Sequence, residues 1–185
     1  LTDVTGVQTC ALPIWRGPAR ETPYPALFAE QRVPYVGSAP PALMVAADKH
    51  LTKMVARENG VPVAPGTVVT AATLATLQWT SIRLPAFVKP AHEEQLRGIG
   101  PDAVCRTPRM LEEKVRASLT RYEAVVVEDY LPGTDLVVPV LEGVGDGMLP
   151  PCEVLFPAGA PFRHVAWGGV DTPALRCPAV VPEPV

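Results

Sequence analysis

The chain has little charge and nowhere concentrates it. Of its 185 residues, 16 are Lys or Arg and 19 are Asp or Glu, giving a net charge of -3. With no cluster of basic residues and no basic run interleaved with aromatics, the electrostatic footprint of a nucleic-acid partner is missing. No apolar run approaches the roughly eighteen residues that a membrane span requires, so no membrane partner is expected. Cysteine is sparse too: the four, Cys10, Cys105, Cys152 and Cys177, form no CxxC pair and have no His at metal spacing. A structural zinc site is therefore not expected, and free thiols in an apolar-rich chain suit a reducing cytoplasm. What the chain does have is apolar residues, 48% of it, enough for one ordinary domain or two small ones with real cores. It also has 23 prolines, scattered between apolar segments, which mark turns and strand edges rather than a linker.

The first residues stand apart. Val4-Thr5-Gly6-Val7-Gln8-Thr9-Cys10-Ala11-Leu12-Pro13-Ile14 resembles the conceptual translation of a sequencing-adapter read. It lacks the basic n-region of a signal peptide. Residues 1–14 are accordingly set aside from fold reasoning, Cys10 with them, and the natural chain is expected to begin upstream of Trp15.

From Pro25 onwards helical and extended segments alternate. Ala26 to Gln31 has helix-forming composition, and Val33 to Ser38 reads as a short strand closing on Gly37-Ser38. Pro40 can open a helix over Ala42 to Ala47, and Asp48 to Glu58 continues helically to an Asn59-Gly60 stop, as one helix or as two broken near Asp48. Leu51, Met54 and Val55 recur at one-face spacing. Val61 to Val69, interrupted by Pro62 and Pro65, reads as an edge strand. Thr70 can cap a helix over Ala71 to Gln78. Further on, Thr107 and Pro108 open a helix towards Leu119 with Glu112 and Glu113 near its positive end. Ala124 to Glu128 is the strongest strand signal in the chain. Leu136 to Leu141 is another strand, with Leu149 to Phe156 as its hairpin partner, and the residues from Pro157 on are poor in pattern.

The stretch Leu84-Pro85-Ala86-Phe87-Val88-Lys89-Pro90 is the centre of this organisation. A short apolar run bounded by prolines reads as a buried central strand. Its lysine stands at the mouth of the loop Ala91 to Gly98. Alone, Lys89 reads either as a solvated strand-end charge or as a cation aimed at a phosphate.

Taken in order, several pieces resemble the ATP-grasp ligases, and most closely the D-alanine:D-alanine ligase family. They are Pro34-Tyr35-Val36-Gly37-Ser38, Ala47-Asp48-Lys49, Gly60 to Gly66, Phe87-Val88-Lys89-Pro90, Val127 to Gly133, and Leu149 to Val154. The resemblance covers roughly residues 33–156. It implies a partial α+β ATP-grasp fold: a remnant of the preceding α/β domain over 15–44, the central subdomain over 45–131, and the start of the C-terminal subdomain over 132–185. It also implies ATP between two subdomains, with Lys49 and Lys89 on the phosphates, where a compact ammonium can follow an oxygen as it leaves. Glu93 would sit in the phosphate loop. Glu128, Asp129, Tyr130 and Leu131 resemble the linker that reads adenine against an apolar wall, and Asp135 falls where the family places an acid on the ribose. The implied reaction is phosphorylation of a carboxylate by ATP and attack of an amine on the acyl phosphate, with Mg2+ bridging the phosphates. Small carboxylate and amine substrates, D-amino acids among them, a homodimeric parent and a cytoplasmic role in peptidoglycan biosynthesis go with that likeness.

The departures weigh against a fully equipped site. Where the family offers Glu-Gly-Ser-Ser before its last glycine, this chain has Glu93-Glu94-Gln95-Leu96-Arg97-Gly98, with only Glu93 and Gly98 in place. Around Arg163, His164 and Trp167 the family carries a further phosphate-binding lysine ahead of a Cys-Pro-Ala like Cys177-Pro178-Ala179, yet no lysine follows Lys114. The family's magnesium ligands are expected beyond residue 185. A degenerate ATP-grasp domain, binding nucleotide or a partner without catalysis, is therefore the alternative expectation.

Overall fold

The computed structural model describes residues 24–35, 37–93, 96–156, 162 and 174–180. Outside these lie the adapter-like 4–14, Val36 of the proposed Val33–Ser38 strand, Glu94 and Gln95, and the Arg163 to Trp167 region. Four helices, α1 (Tyr24–Glu30), α2 (Pro40–Ala47), α3 (Lys49–Glu58) and α4 (Pro108–Leu119), accompany seven strands among the described residues. The strands are β1 (Gly66–Thr70), β2 (Ala86–Pro90), β3 (Val104–Cys105), β4 (Ala124–Asp129), β5 (Leu136–Val137), β6 (Cys152–Leu155) and β7 (Ala174–Arg176). They form an antiparallel four-stranded sheet in the order β1-β4-β2-β3 and a three-stranded sheet in the order β5-β6-β7.

The larger sheet is built on β4, whose run of Ala and Val is buried throughout. Alternation divides its side chains between two faces. Val125 and Val127 join Val69, Ala86, Val88 and Cys105 on the face packed by Leu111 and Val115 of α4. Thr107 caps α4 by accepting from the Met110 amide at 3.2 Å, with Pro108 at the first helical position, as the sequence suggests. Leu111, Val115 and Ser118 then fall on one stripe and are buried. Each fully buried Leu or Val of this kind is worth about 1.5–3 kcal/mol. Glu112 and Glu113 lie past the first turn and pair with Arg116 and Arg109 instead of the dipole.

β1 is an edge strand, as the prolines before it require, but it starts only after Pro65. The expected helix over Ala71–Gln78 does not form. Thr70 and Thr73 do cap one another, yet two short 3-10 turns follow, Leu74–Thr76 and Trp79–Ser81. The hydroxyl of Thr76 donates to the Thr73 carbonyl three residues back, competing for a carbonyl that an α-helix over Ala71–Gln78 would use, and that of Ser81 donates likewise to Gln78 in the second turn. Val33–Ser38 contains no strand among its described residues. The Leu136–Leu141 strand shrinks to β5, with a single further bridge between Val140 and Met148, but its pairing with β6 is as expected.

Two cysteines correct the expectation of free thiols. β6 pairs with β7 so that Glu153 faces Arg176, which sets Cys152 beside Cys177 at a Cα separation of 4.4 Å, and the two are joined as a disulfide. Cys105 remains a free thiol, buried under α4. No helix among the described residues is long and apolar enough to cross a membrane.

Candidate active site

The face of the large sheet turned away from α4 carries the charge. Phe87 and Lys89 alternate with the core residues of β2, and the register sets Phe87 opposite Glu128 and Lys89 opposite Val126. Lys89 and Glu128 are thus diagonal neighbours on adjacent strands, within reach of long side chains. The Lys89 ammonium lies 2.5 Å from Glu128 Oε1 and 5.8 Å from the centre of the Phe87 ring. Lys53 of α3 takes the other oxygen, with Nζ 2.5 Å from Oε2. One carboxylate, buried to 8% exposure, thereby holds two ammoniums from two different elements.

Close packing at β1 allows this. Gly66 pairs with Glu128, and a Cβ on Gly66 would stand 2.5 Å from the Val127 carbonyl and 2.6 Å from the Glu128 Cβ. Only glycine lets β1 lie this close beneath the carboxylate.

α3 is placed by polar ties. Asp48 breaks the helical run into two, settling the choice between one helix and two. It caps α3 by accepting from the amides of His50 at 2.8 Å and Leu51 at 2.9 Å. The Lys49 amide donates to the Ala91 carbonyl at 3.0 Å, fastening the start of α3 to the end of β2. Lys49 Nζ donates to the carbonyl of Glu93. Four residues on, Lys53 shares the face of Lys49, so the lysines look inwards and Leu51, Met54 and Val55 are exposed. The one-face spacing of the three apolar residues therefore marks the outward side of the helix. Lys53 is the member of this ion cluster that the sequence reading missed, and its spacing from Lys49 was the signal available.

The loop after β2 is held by Gly98, whose φ of +78° and whose approach to Pro90 and Tyr122 exclude a side chain. Glu93 meets Lys49 through its main chain, while its carboxylate faces Arg97 at 3.5 Å. Beyond Glu128 the chain turns out of the sheet. The Asp129 amide donates to Pro65 and the Tyr130 amide to Pro85, and the Asp129 carboxylate lies 3.5 Å from the exposed Arg83. Tyr130 stacks on Phe87 at 6.4 Å between centroids, with Phe162 edge-on to Phe87 at 5.2 Å, making an apolar wall beside the charged cluster. Leu131 is 67% exposed. Asp135 is exposed and tied to the second sheet, its carbonyl accepting from the Val154 amide. The structure thus gathers Lys89, Glu128 and the unforeseen Lys53, sets Tyr130 beside them, ties Lys49 at the start of α3 to the carbonyl of Glu93 in the adjoining loop, and leaves Asp135 outside the ion cluster. A separate groove of about 590 Å3 beside α4, bordered by Lys114 and Tyr122, includes none of the expected site residues. No group of three or more His, Cys, Asp or Glu among the described residues is arranged to hold a metal.

No family model matches the chain. A D-alanine:D-alanine ligase from Corynebacterium aurimucosum is 36% identical over 137 residues, 71% of this chain and 36% of the ligase. One from Alkalilimnicola ehrlichii is 32% identical over 152 residues, 82% of this chain and 46% of the ligase. A solved D-alanine:D-alanine ligase from Bacillus anthracis, complexed with ATP, superposes with a TM-score of 0.63 at 17% identity, over 86% of this chain and 48% of that one. The chain spans less than half the length of these relatives. Its architecture is therefore part of the ATP-grasp fold. More narrowly, these homologues are D-alanine:D-alanine ligases, and over the matched stretch the chain is D-alanine:D-alanine ligase-like.

Proposed function

We propose that the charged face of the large sheet is the ATP-binding portion of an ATP-dependent carboxylate-amine ligase. The observation that carries this reading is the convergence of Lys89 and Lys53 on Glu128, beside the Phe87 and Tyr130 rings and next to the helix that brings Lys49. An excess of ammonium over carboxylate at the mouth of a sheet fits a polyphosphate, and an aromatic wall beside it fits a base. In this reading Lys49 and Lys89 meet the phosphates and Glu93 borders them through its main chain. Because both oxygens of Glu128 hold ammoniums and the amides of Asp129 and Tyr130 are engaged, the base is read by the remaining main-chain groups of the Glu128–Leu131 segment. Asp135 serves the ribose. The subdomain boundary falls near residue 131, between the two sheets.

ATP supplies the phosphoryl group that activates a substrate carboxylate for attack by an amine, with small molecules such as D-amino acids as substrates. The chain's own part is to bind and orient the nucleotide. No step is assigned to magnesium, for which the described residues offer no ligand set. The test is Lys89→Ala in the full chain with titration of a fluorescent ATP analogue. Affinity should fall at least tenfold, the order of losing a charged hydrogen bond to a phosphate. Unchanged affinity would remove the nucleotide assignment.

The second reading, nucleotide binding without catalysis, is favoured by one feature of the phosphate loop. Glu93 spends its carboxylate on Arg97, and the hydroxyl-bearing residues are absent. Binding of ATP with no ATP consumption in the presence of D-alanine, measured on a form that includes the expected magnesium ligands, would select it.

A further inference from the structure

The resemblance that implies phosphate roles for Lys49 and Lys89 implies none for Lys53. Its geometry is specific. Glu128 lies on β4, Lys89 on β2 and Lys53 on α3, so three elements meet at one carboxylate, and the ammoniums take one oxygen each at 2.5 Å. The side chains of Lys53 and Lys89 are only 17% and 21% exposed, and that of Glu128 is 10% exposed. Charge-assisted bonds in such surroundings are short, directional and weakly screened.

A carboxylate held at one oxygen can still swing about its last bond. Held at both, its plane is fixed, and so is the position from which Oε1 grips Lys89. The charge is shared as well. A lone Glu128 would neutralise Lys89 and leave nothing for an incoming anion, whereas two ammoniums on one carboxylate leave an excess of one positive charge.

We infer that Lys53 is a positioning residue for the nucleotide phosphates. By occupying Oε2 it orients Glu128 and takes part of its charge, so that Lys89 stays placed and electropositive towards the site without Lys53 touching the ligand. This rests on the nucleotide reading above. A purely structural role, in which Lys53 only pins α3 to the sheet, makes a different prediction, because it affects every ligand of the site alike.

The experiment uses the full chain carrying Lys53→Met, Lys53→Gln or Lys53→Arg, titrated with ATP, ADP and adenosine, with a thermal melt to establish that each variant is folded. Lys53→Met should weaken ATP and ADP about tenfold, the scale typical of groups that orient a ligand-binding residue, and leave adenosine within about twofold. Lys53→Arg should restore most of the loss. Lys53→Gln, which can still donate to Oε2 but carries no charge, should resemble Lys53→Met if charge sharing is the device. An equal loss for adenosine, unaltered binding of ATP by Lys53→Met, or full rescue by Gln overturns the inference. A wild-type chain silent towards ATP overturns the nucleotide reading and this inference together. A wild-type chain that binds ATP with an indifferent Lys53→Met variant overturns the role of Lys53 alone.

Discussion

The two faces of the four-stranded sheet are written by the same strands and follow opposite rules. Towards α4, alternate residues of β1, β2 and β4 pack a closed apolar layer with Leu111 and Val115. On the reverse, the intervening residues of β2 and β4 present Phe87, Lys89 and Glu128, and the element beside them, α3, is tied by ions and hydrogen bonds. The first face derives its strength from excluded water. The second is organised around charges that would be costly if any partner were missing. One face is apolar throughout, and the other combines a smaller apolar patch of Ala91, Ala124 and Val126 with the charged groups that can make a site.

That contrast can be broken most severely from the closed side. Leu111→Ala should cost about 2–5 kcal/mol in urea denaturation while leaving nucleotide affinity per folded molecule unchanged. A loss under about 1 kcal/mol would mean that α4 is not the lid of the core. Gly66→Ala acts on both faces at once, since the new methyl meets the Val127 carbonyl and Glu128 from the edge strand. It should cost about 1–3 kcal/mol and also weaken ATP binding. Stability loss without any change in binding would separate the strand packing from the position of Glu128. The smallest effect, nil at neutral pH, concerns Cys105. Burial pushes its thiol up from 9.0 to about 11, with Lys114 opposing and Asp102 adding to the shift. The folded state therefore holds that proton more tightly than the unfolded one. Its stabilising contribution is complete below pH 9 and is lost as pH rises towards 11. Stability followed through that interval should fall, and a thiol reagent at pH 8 should modify Cys105 only on unfolding. Rapid labelling of the folded chain at pH 8 would show the closed face to be open.

What the sequence made legible follows from how local each signal is. The core of the larger sheet was readable because β4 is a β-branched run, β2 is bracketed by prolines, and Thr107-Pro108 is a cap with an N1 proline. Lys89 was readable as a candidate site residue once Asp48-Lys49 and Glu128 to Leu131 were seen in order, and the structure sets it against Glu128. Of the failures, two are non-local and one is local. The exposure of Leu51, Met54 and Val55 could not be foreseen from periodicity, which marks an apolar face but not the direction it takes. That direction is set by Lys53 reaching a carboxylate on β4, 75 residues away. The Cys152–Cys177 bond depends on the pairing of β6 with β7, and a search for CxxC spacing does not detect it. The Ala71–Gln78 helix was lost because hydroxyl bonds to carbonyls three residues back compete with helical ones, a balance that propensity alone does not weigh.

The way α3 is fastened also bears on time. None of its side chains is buried, whereas α4 sinks three into the core. Segments with few buried apolar contacts open locally at a small fraction of the global unfolding free energy. Amide hydrogens from Thr52 to Asn59 should therefore exchange with solvent well before those of α4, so the lysines of α3 come and go with a helix that breathes over a sheet that does not.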